Sequence, residues 1–177
     1  MKAQRGVQLV PVLVIAAVIV MPSAGANPFK DHAVFSKLIG KWSAEGSLAN
    51  QEGEEMKLEE TWTGTIEADG TLLMKGERDF NEEKLEFTWR YSYNASTELF
   101  ECEYNQTGME EPLRLQATVA DTLRTIELKT QLGDSGGELV VVNKISEDGK
   151  SIEGEVKISN ADGQVALGGK IEHKKEE

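Results

Sequence analysis

The sequence of 177 residues has one cysteine and two histidines, and this scarcity excludes several kinds of chemistry. Cys102 has no partner for an intramolecular disulfide, so the apolar core must stabilise the fold. Its strand parity with Phe100 and Tyr104 predicts a buried, inert thiol. Neither His32 nor His173 stands at a spacing typical of a zinc site or of a Ser-His-Asp or Cys-His group. We therefore expect no catalytic residue, no metal, no cofactor and no enzyme activity.

Basic residues are also scarce. The chain has 19 Lys and Arg against 31 Asp and Glu, which gives a formal net charge of −12. Such a surface repels phosphate backbones and anionic lipid headgroups, so we expect no nucleic-acid binding. The densest group of carboxylates spans a predicted turn and the strand after it, where solvated side chains are expected rather than a metal site. It comprises Glu52, Glu54, Glu55, Glu59 and Glu60.

The chain lacks an apolar run long enough to cross a bilayer as a helix. Val7 to Met21 is apolar over about 15 residues, short of the ~20 that a spanning helix needs. Lys2 and Arg5 precede this run and Ala24-Gly25-Ala26 follows it, the arrangement of an export signal. We predict a cleaved signal peptide at residues 1–26 and one domain at residues 27–177, with no membrane insertion after cleavage. The mature protein, with a net charge of −14, is expected to be periplasmic or secreted.

The remaining residues show one pattern repeated. Apolar residues between Phe29 and Ile39 have helical spacing, and Gly40 ends this predicted helix. Ten short segments of alternating apolar and polar residues follow at about ten-residue spacing, separated by Gly and Asp turns. No helical stretch between them is long enough for a parallel crossover. The predicted fold class is all-β, a single antiparallel up-and-down β-barrel of about ten strands with a short N-terminal helix.

A barrel of ten strands has an interior that side chains do not easily fill. Whether it is a pocket or a packed core stays open from the sequence. Arg78 and Arg90 are candidates to anchor a carboxylate, although a surface position is the default for both. Arg90 falls on the opposite strand face from Trp89 and Tyr91. The bulky residues predicted to line a pocket and bind a ligand are Trp62, Met74, Phe87, Trp89, Tyr91 and Tyr93.

The motif Phe35-x-x-Leu38-x-Gly40-x-Trp42 at the start of the first strand resembles that of the calycin superfamily, which includes lipocalins, fatty-acid-binding proteins and nitrobindin-like barrels. In those families the glycine and tryptophan, here Gly40 and Trp42, close one end of the barrel. The segment at residues 90–100 is similar to the uncharacterised bacterial DUF1579-type barrels. Lipocalins often stack a basic residue on the motif tryptophan, and Lys170 is the nearest candidate for it.

The resemblance implies a non-catalytic barrel that binds a small apolar or amphipathic molecule in its interior. One alternative is a barrel with a filled core whose surface binds another protein of the cell envelope. Another is a haem-binding, nitrobindin-like barrel that would hold the iron through His173. Charged residues follow His173 to the end of the chain, which predicts a solvated tail and an exposed histidine.

Overall fold

The computed structural model describes residues 27–177 apart from residues 82, 134 and 135. Each strand pairs antiparallel with its neighbours in chain order, and the last strand pairs with the first to close the barrel. The predicted fold class is confirmed, while the predicted signal peptide lies outside the described residues. The strands are β1 (Gly40–Asn50), β2 (Glu55–Ile66), β3 (Leu72–Phe80), β4 (Glu83–Asn94), β5 (Leu99–Gln106), β6 (Leu113–Ala120), β7 (Thr125–Leu132), β8 (Gly137–Ile145), β9 (Ser151–Ser159) and β10 (Val165–Lys175).

The strands form because their apolar residues alternate with polar ones, which places one set inside and the other in solvent. In β2 the side chains of Leu58, Glu60 and Trp62 are buried, while the residues between them are exposed. Turns with glycine at positive φ, such as Gly70 and Gly149, then reverse the chain between strands. Closure pairs both edges of each described strand, so the barrel presents no open sheet edge to another chain.

The predicted N-terminal helix is wrong in type. Residues 27–39 form turns and one 3-10 helix at Phe35–Leu38, and the described part of the chain contains no α-helix. The backbone N–H of Val34 donates to His32 Nδ1 at 3.2 Å, which interrupts an α-helical ladder. A segment this short gains little from helix formation alone, so its packing on the barrel decides its shape. No helix in the described residues has the length and hydrophobicity to span a membrane.

Residues 27–39 cover one end of the barrel, here called the closed end. Phe35 is fully buried there, with its ring centroid 4.8 Å from that of Phe100. The carbonyl oxygen of Leu38 lies 2.1 Å from where a Cβ on Gly64 would sit, so only glycine lets the segment approach β2 this closely. Gly40 has φ +122°, a left-handed conformation that suits glycine at the corner into β1. The opposite end, here called the open end, carries the turns after β1, β3, β5, β7 and β9.

Candidate functional site

The interior of the barrel contains a cavity of about 330 Å³. It extends from Leu38 beneath the closed end to residues within the three outermost positions of the strands at the open end. Those end residues are half-buried, which shows that the cavity reaches solvent there: Phe80, Leu85, Leu113, Leu132 and Leu167. The interior of the barrel therefore contains a pocket that opens at one end.

The cavity has two unlike sides. One side, here called the aromatic wall, is supplied by β2 to β5 and carries the rings, the charged pair and one amide, together with two leucines: Leu58, Glu60, Trp62, Met74, Arg78, Phe80, Leu85, Phe87, Trp89, Tyr91, Tyr104 and Gln106. The other side, here called the aliphatic wall, is supplied by β6 to β10. It is lined by branched apolar side chains with two polar exceptions: Leu113, Leu132, Leu139, Val141, Asn143, Ile152, Val156, Ile158, Leu167, Ile171 and His173.

The structure brings together most of the residues predicted to bind a ligand. Trp62, Met74, Phe87, Trp89 and Tyr91 all line the cavity from the aromatic wall. Tyr93 does not line it. Although Tyr93 shares the strand parity of the others, it lies at the closed end, where it is 37% exposed and packs on Phe100. Contact of the five lining residues with a ligand stays a prediction.

A buried ion pair stands in the aromatic wall. Glu60 is 5% exposed, and its Oε1 accepts a hydrogen bond from Arg78 Nε at 2.6 Å and lies 2.6 Å from Arg78 Nη2 as an ion pair. The guanidinium carbon of Arg78 also lies 4.8 Å from the ring centroid of Phe87, a cation–π distance. The surface position expected for Arg78 is therefore wrong, because its parity with Met74 on β3 points it inward. Glu60, expected among solvated carboxylates, is also inside.

The ion pair continues into a chain of hydrogen bonds toward the open end. Arg78 Nη1 donates to the Tyr104 hydroxyl at 2.9 Å, and that hydroxyl donates in turn to Gln106 Oε1. Gln106 is the last residue of β5. The polar part of the wall therefore begins at the mouth of the cavity and runs inward as far as Glu60.

Burial and charge act against each other in this cluster. Burial raises the pKa of the Glu60 carboxyl, and the Arg78 guanidinium partly offsets the rise. Burial also works to lower the pKa of Arg78, but Glu60 and Tyr104 outweigh it and raise that pKa above its ordinary value. Arg78 therefore stays charged at neutral pH, and the 2.6 Å contacts of its Nε and Nη2 with Glu60 Oε1 are those of an ion pair. Burial raises the pKa of Tyr104 as well, which keeps its hydroxyl neutral and able to donate.

A stack of side chains joins the two walls where the chain's first and last strands meet. The rings of Trp42 and Trp62 are nearly parallel, with an interplanar angle of 12° and centroids 5.2 Å apart. Trp42 is fully buried, and its Nε1 donates to the Leu38 carbonyl at 3.3 Å, which ties it to the closed-end segment. The ammonium of Lys175 lies 5.3 Å from the Trp42 ring centroid. Lys175, not the expected Lys170, therefore covers the motif tryptophan.

His173 completes this stack inside the cavity. Its Nδ1 accepts a hydrogen bond from Trp62 Nε1 at 3.2 Å, and the residue is only 8% exposed. The expected solvated tail is wrong here, because β10 continues to Lys175 and pairs His173 with Ala44. Burial, and then the charge of Arg78, lower the pKa of His173 from 6.5 to about 4, so the ring is neutral at pH 7. With Nδ1 accepting, Nε2 carries the proton.

Other candidates from the sequence lie away from the cavity. Arg90 is on the outer face, as its parity predicted, where its Nη1 donates to Thr71 Oγ1 at 2.9 Å. Cys102 is buried, as expected, and burial raises the pKa of its thiol. No three His, Cys, Asp or Glu side chains in the described residues are arranged to hold a metal ion. The cavity thus offers apolar surface, hydrogen-bond donors and acceptors, and one neutralised ion pair.

The residues that sequence reasoning missed were mostly signalled by strand parity. Arg78, Tyr104 and Gln106 occupy the same parity as buried apolar neighbours on β3 and β5. For Arg78, the general tendency of charged side chains to face solvent led to the prediction of a surface position, although its strand parity indicated the interior. Asn143 and the aliphatic wall carried only the ordinary strand pattern, which does not distinguish a pocket lining from a packed core.

Comparison of the sequence with protein-family models finds no matching family, and comparison with curated proteins finds no match. Similar folds are found among solved structures. An S-type phycobiliprotein lyase, CPES, from Guillardia theta has a TM-score of 0.61 at 12% identity, over 81% of this chain and 90% of the lyase. A protein of unknown function from the DUF3598 family of Nostoc punctiforme has a TM-score of 0.55 at 12% identity. That match covers 80% of this chain and 48% of the Nostoc protein. These likenesses show a shared barrel fold.

Proposed function

We propose that this barrel binds one small, largely apolar molecule in its interior and has no catalytic activity. The observation that carries the proposal is the cavity of about 330 Å³, which is mostly apolar, opens at one end and has a few polar groups grouped on one side. Small-molecule sites in proteins have this composition, with apolar surface supplying affinity and a few polar groups setting orientation.

The polar groups indicate how such a molecule would lie. The Arg78–Tyr104–Gln106 chain of hydrogen bonds is near the mouth, and the space beyond it toward the closed end is bounded by Trp62 and Met74. A ligand with one polar end would bury its apolar part first and keep the polar end against the aromatic wall near the mouth. This arrangement suits an amphipathic molecule.

A filled barrel that acts only through its surface is less well supported, because the interior holds a cavity. The exposed large apolar side chains among the described residues are Tyr93, Leu99, Leu123 and Val165, and Val165 lies at the opposite end from the other three. A protein partner in the cell envelope is therefore the second proposal. It would gain support if the cavity proved unable to bind any apolar probe.

Haem does not fit the cavity as a cofactor. The Nδ1 atom of His173 is occupied by Trp62, and Nε2 lies 3.4 Å from where a Cβ on Gly154 would sit. Asn143 Oδ1 lies 3.2 Å from that same position. An iron atom would have to reach Nε2 through this crowded contact with β8 and β9. The histidine instead fixes Trp62.

The proposed setting is the periplasm or the exterior of the cell, which rests on the signal-peptide pattern of residues 1–26. Membership of the DUF1579-type barrels is proposed on the motif at residues 90–100 alone. The name of the Guillardia protein, a phycobiliprotein lyase, describes that protein; at 12% identity it does not transfer an activity to this chain.

A fluorescence titration tests binding directly. The fluorescence of the neutral apolar dye N-phenyl-1-naphthylamine should rise when the dye enters the cavity. The rise should saturate at about one dye molecule per chain. Val141→Phe, which projects a ring into the cavity, should abolish the saturable signal. Val140→Phe adds the same ring to the outer face of the same strand and should leave the signal unchanged. Saturable binding that survives Val141→Phe would contradict an interior site, and a filled barrel would show no saturable binding at all.

A further inference from the structure

We propose that the cavity selects an uncharged amphipathic ligand and discriminates against an anionic one such as a fatty acid, because Glu60 already occupies the cavity's arginine. This inference rests on the proposed binding function and names its ligand class. An arginine inside a β-barrel is a ready anchor for a carboxylate, since its planar fork matches two oxygens. Here the guanidinium of Arg78 is already paired with the carboxylate of Glu60.

The geometry of Arg78 shows which side of the guanidinium is engaged. Nε donates to Glu60 Oε1 at 2.6 Å, Nη2 lies 2.6 Å from the same oxygen, and Nη1 donates to the Tyr104 hydroxyl at 2.9 Å. The Nε–Nη2 side of the guanidinium is thus filled by Glu60, and the Tyr104 hydroxyl lies against Nη1. A second carboxylate would have to displace Glu60 or be buried beside it, and like charges in a buried site are strongly unfavourable.

The total charge of the cavity lining leads to the same conclusion. Among the described lining residues, Glu60 is the one carboxylic acid and Arg78 the one guanidinium, and their 2.6 Å contact is an ion pair in which the two charges cancel. His173 is neutral at that pH because burial lowers its pKa to about 4. An anionic ligand would therefore enter a neutral, low-dielectric site with no cation of its own, which carries a large desolvation cost. An uncharged polar end needs only hydrogen bonds.

The open end adds a second, independent barrier to anions. The turns after β1, β5 and β9 carry exposed acidic side chains, and no basic side chain occurs in the described turns of that end: Glu52, Glu54, Glu110, Glu111 and Asp162. Fewer basic side chains, Lys57, Lys84 and Arg114, are exposed at the strand ends beside these turns, so acidic charge is in excess around the mouth. This excess lowers the local concentration of anionic ligands. The field at the mouth and the neutralised interior thus favour the same class of ligand.

The experiment compares two probes that differ in the charge of one end. Dodecanol and dodecanoate have the same chain length, and each is titrated against N-phenyl-1-naphthylamine bound to the barrel of residues 27–177 at pH 8. We expect dodecanol to displace the dye at least about tenfold more effectively than dodecanoate, a difference of about 1.4 kcal/mol. The affinity of dodecanoate should rise with ionic strength, because salt screens the charges at the mouth. The affinity of dodecanol should not change.

Glu60→Gln is the decisive variant. It keeps the size and hydrogen bonding of the side chain but leaves Arg78 with a net positive charge, so dodecanoate should bind at least about tenfold more tightly than to wild type. Dodecanol affinity should stay within about twofold. If Glu60→Gln fails to fold, the double variant Glu110→Gln/Glu111→Gln, on an exposed turn, tests the mouth. It should speed dodecanoate association at low salt and leave dodecanol association unchanged.

The outcomes separate this inference from the proposed function. Equal displacement by dodecanol and dodecanoate in the wild type, or no gain for dodecanoate in Glu60→Gln, would overturn the charge selection and leave interior binding intact. Failure of the dye itself to bind in the cavity would overturn the proposed function. A preference for dodecanol in the wild type that Glu60→Gln removes, by a gain in dodecanoate affinity alone, supports both.

Discussion

The aromatic wall and the aliphatic wall line the same cavity but are built on different principles. The aromatic wall is held by directed contacts: Arg78 is fixed by Glu60 and Tyr104, and the rings of Trp89 and Tyr104 pack with centroids 4.3 Å apart. The aliphatic wall is held by non-directional apolar packing of residues such as Leu139 and Val141. A wall with fixed donors and acceptors orients a ligand, whereas an aliphatic wall tolerates ligands of different shape. We infer that specificity resides in β2 to β5.

The largest effect is expected where the two walls meet. Trp42→Ala removes a fully buried indole, its stacking on Trp62 and its hydrogen bond to Leu38. The free energy of unfolding should fall by about 3–5 kcal/mol, as for other buried Trp→Ala changes. Urea denaturation followed by circular dichroism measures it. A variant with wild-type stability would contradict the role of Trp42 in closing the barrel end.

The next effect concerns the polar part of the aromatic wall. Arg78→Met leaves the buried Glu60 carboxyl without its cation and should cost about 3 kcal/mol of unfolding free energy. The double variant Glu60→Leu/Arg78→Met removes both charges and should recover most of this loss, because an apolar pair of similar volume tolerates burial. Comparison of urea midpoints measures the coupling. A double variant as unstable as the single one would show that the pair is not the reason for the loss.

His173 should make stability depend on pH in a defined range. Its pKa is about 4 in the fold against 6.5 for an ordinary histidine, so the unfolded chain takes up a proton first as the pH falls. Neutral His173 contributes roughly 2–3 kcal/mol to the free energy of unfolding. This contribution is complete at pH 7, declines below about pH 6.5 and is lost near pH 4.

The control for this prediction is His173→Gln, which can still accept from Trp62 but does not titrate. The variant should lose less stability than the wild type between pH 7 and pH 4, as measured by urea denaturation at each pH. Parallel losses in the two proteins would assign the acid sensitivity to other groups.

The smallest expected effect is on dye affinity, and it depends on which face of β4 a substituted side chain occupies. Trp89→Ala removes a ring that lines the cavity and should weaken dye binding about tenfold, or about 1.4 kcal/mol. Tyr91→Ala should also weaken it, whereas Arg90→Ala, on the outer face, should not change it. The dissociation constant of N-phenyl-1-naphthylamine measures all three. Arg90→Ala as the most damaging change would contradict the assignment of the strand faces.

The two walls also differ in how much of them could be predicted from the sequence. Alternation on β4 correctly placed Phe87, Trp89 and Tyr91 on one face, since strand parity is a local property of the chain. The number of strands and their antiparallel order followed from the spacing of turns in the same way. Tyr93 shows the limit of parity, because it gives the face of a strand but not where the barrel ends.

The pairing of charges could not be predicted from local pattern. Glu60 and Arg78 are 18 residues apart and meet only because the register of β2 on β3 sets them opposite each other. His173 is 111 residues from Trp62, and its burial depends on closure of the barrel between the two ends of the chain. The predicted N-terminal helix is present only as the 3-10 helix at Phe35–Leu38 for the same reason, since the contacts of residues 27–39 with the barrel end outweighed their helical spacing.

The central claim is that the interior holds a small apolar molecule, and native mass spectrometry tests it most directly. The protein is purified from the cells that produce it, as residues 27–177, and its mass is compared before and after extraction with organic solvent. We predict a bound mass of one small molecule per chain that disappears on extraction. An unliganded mass before extraction, unchanged after incubation of the extracted protein with a lipid extract of the same cells, would contradict the claim.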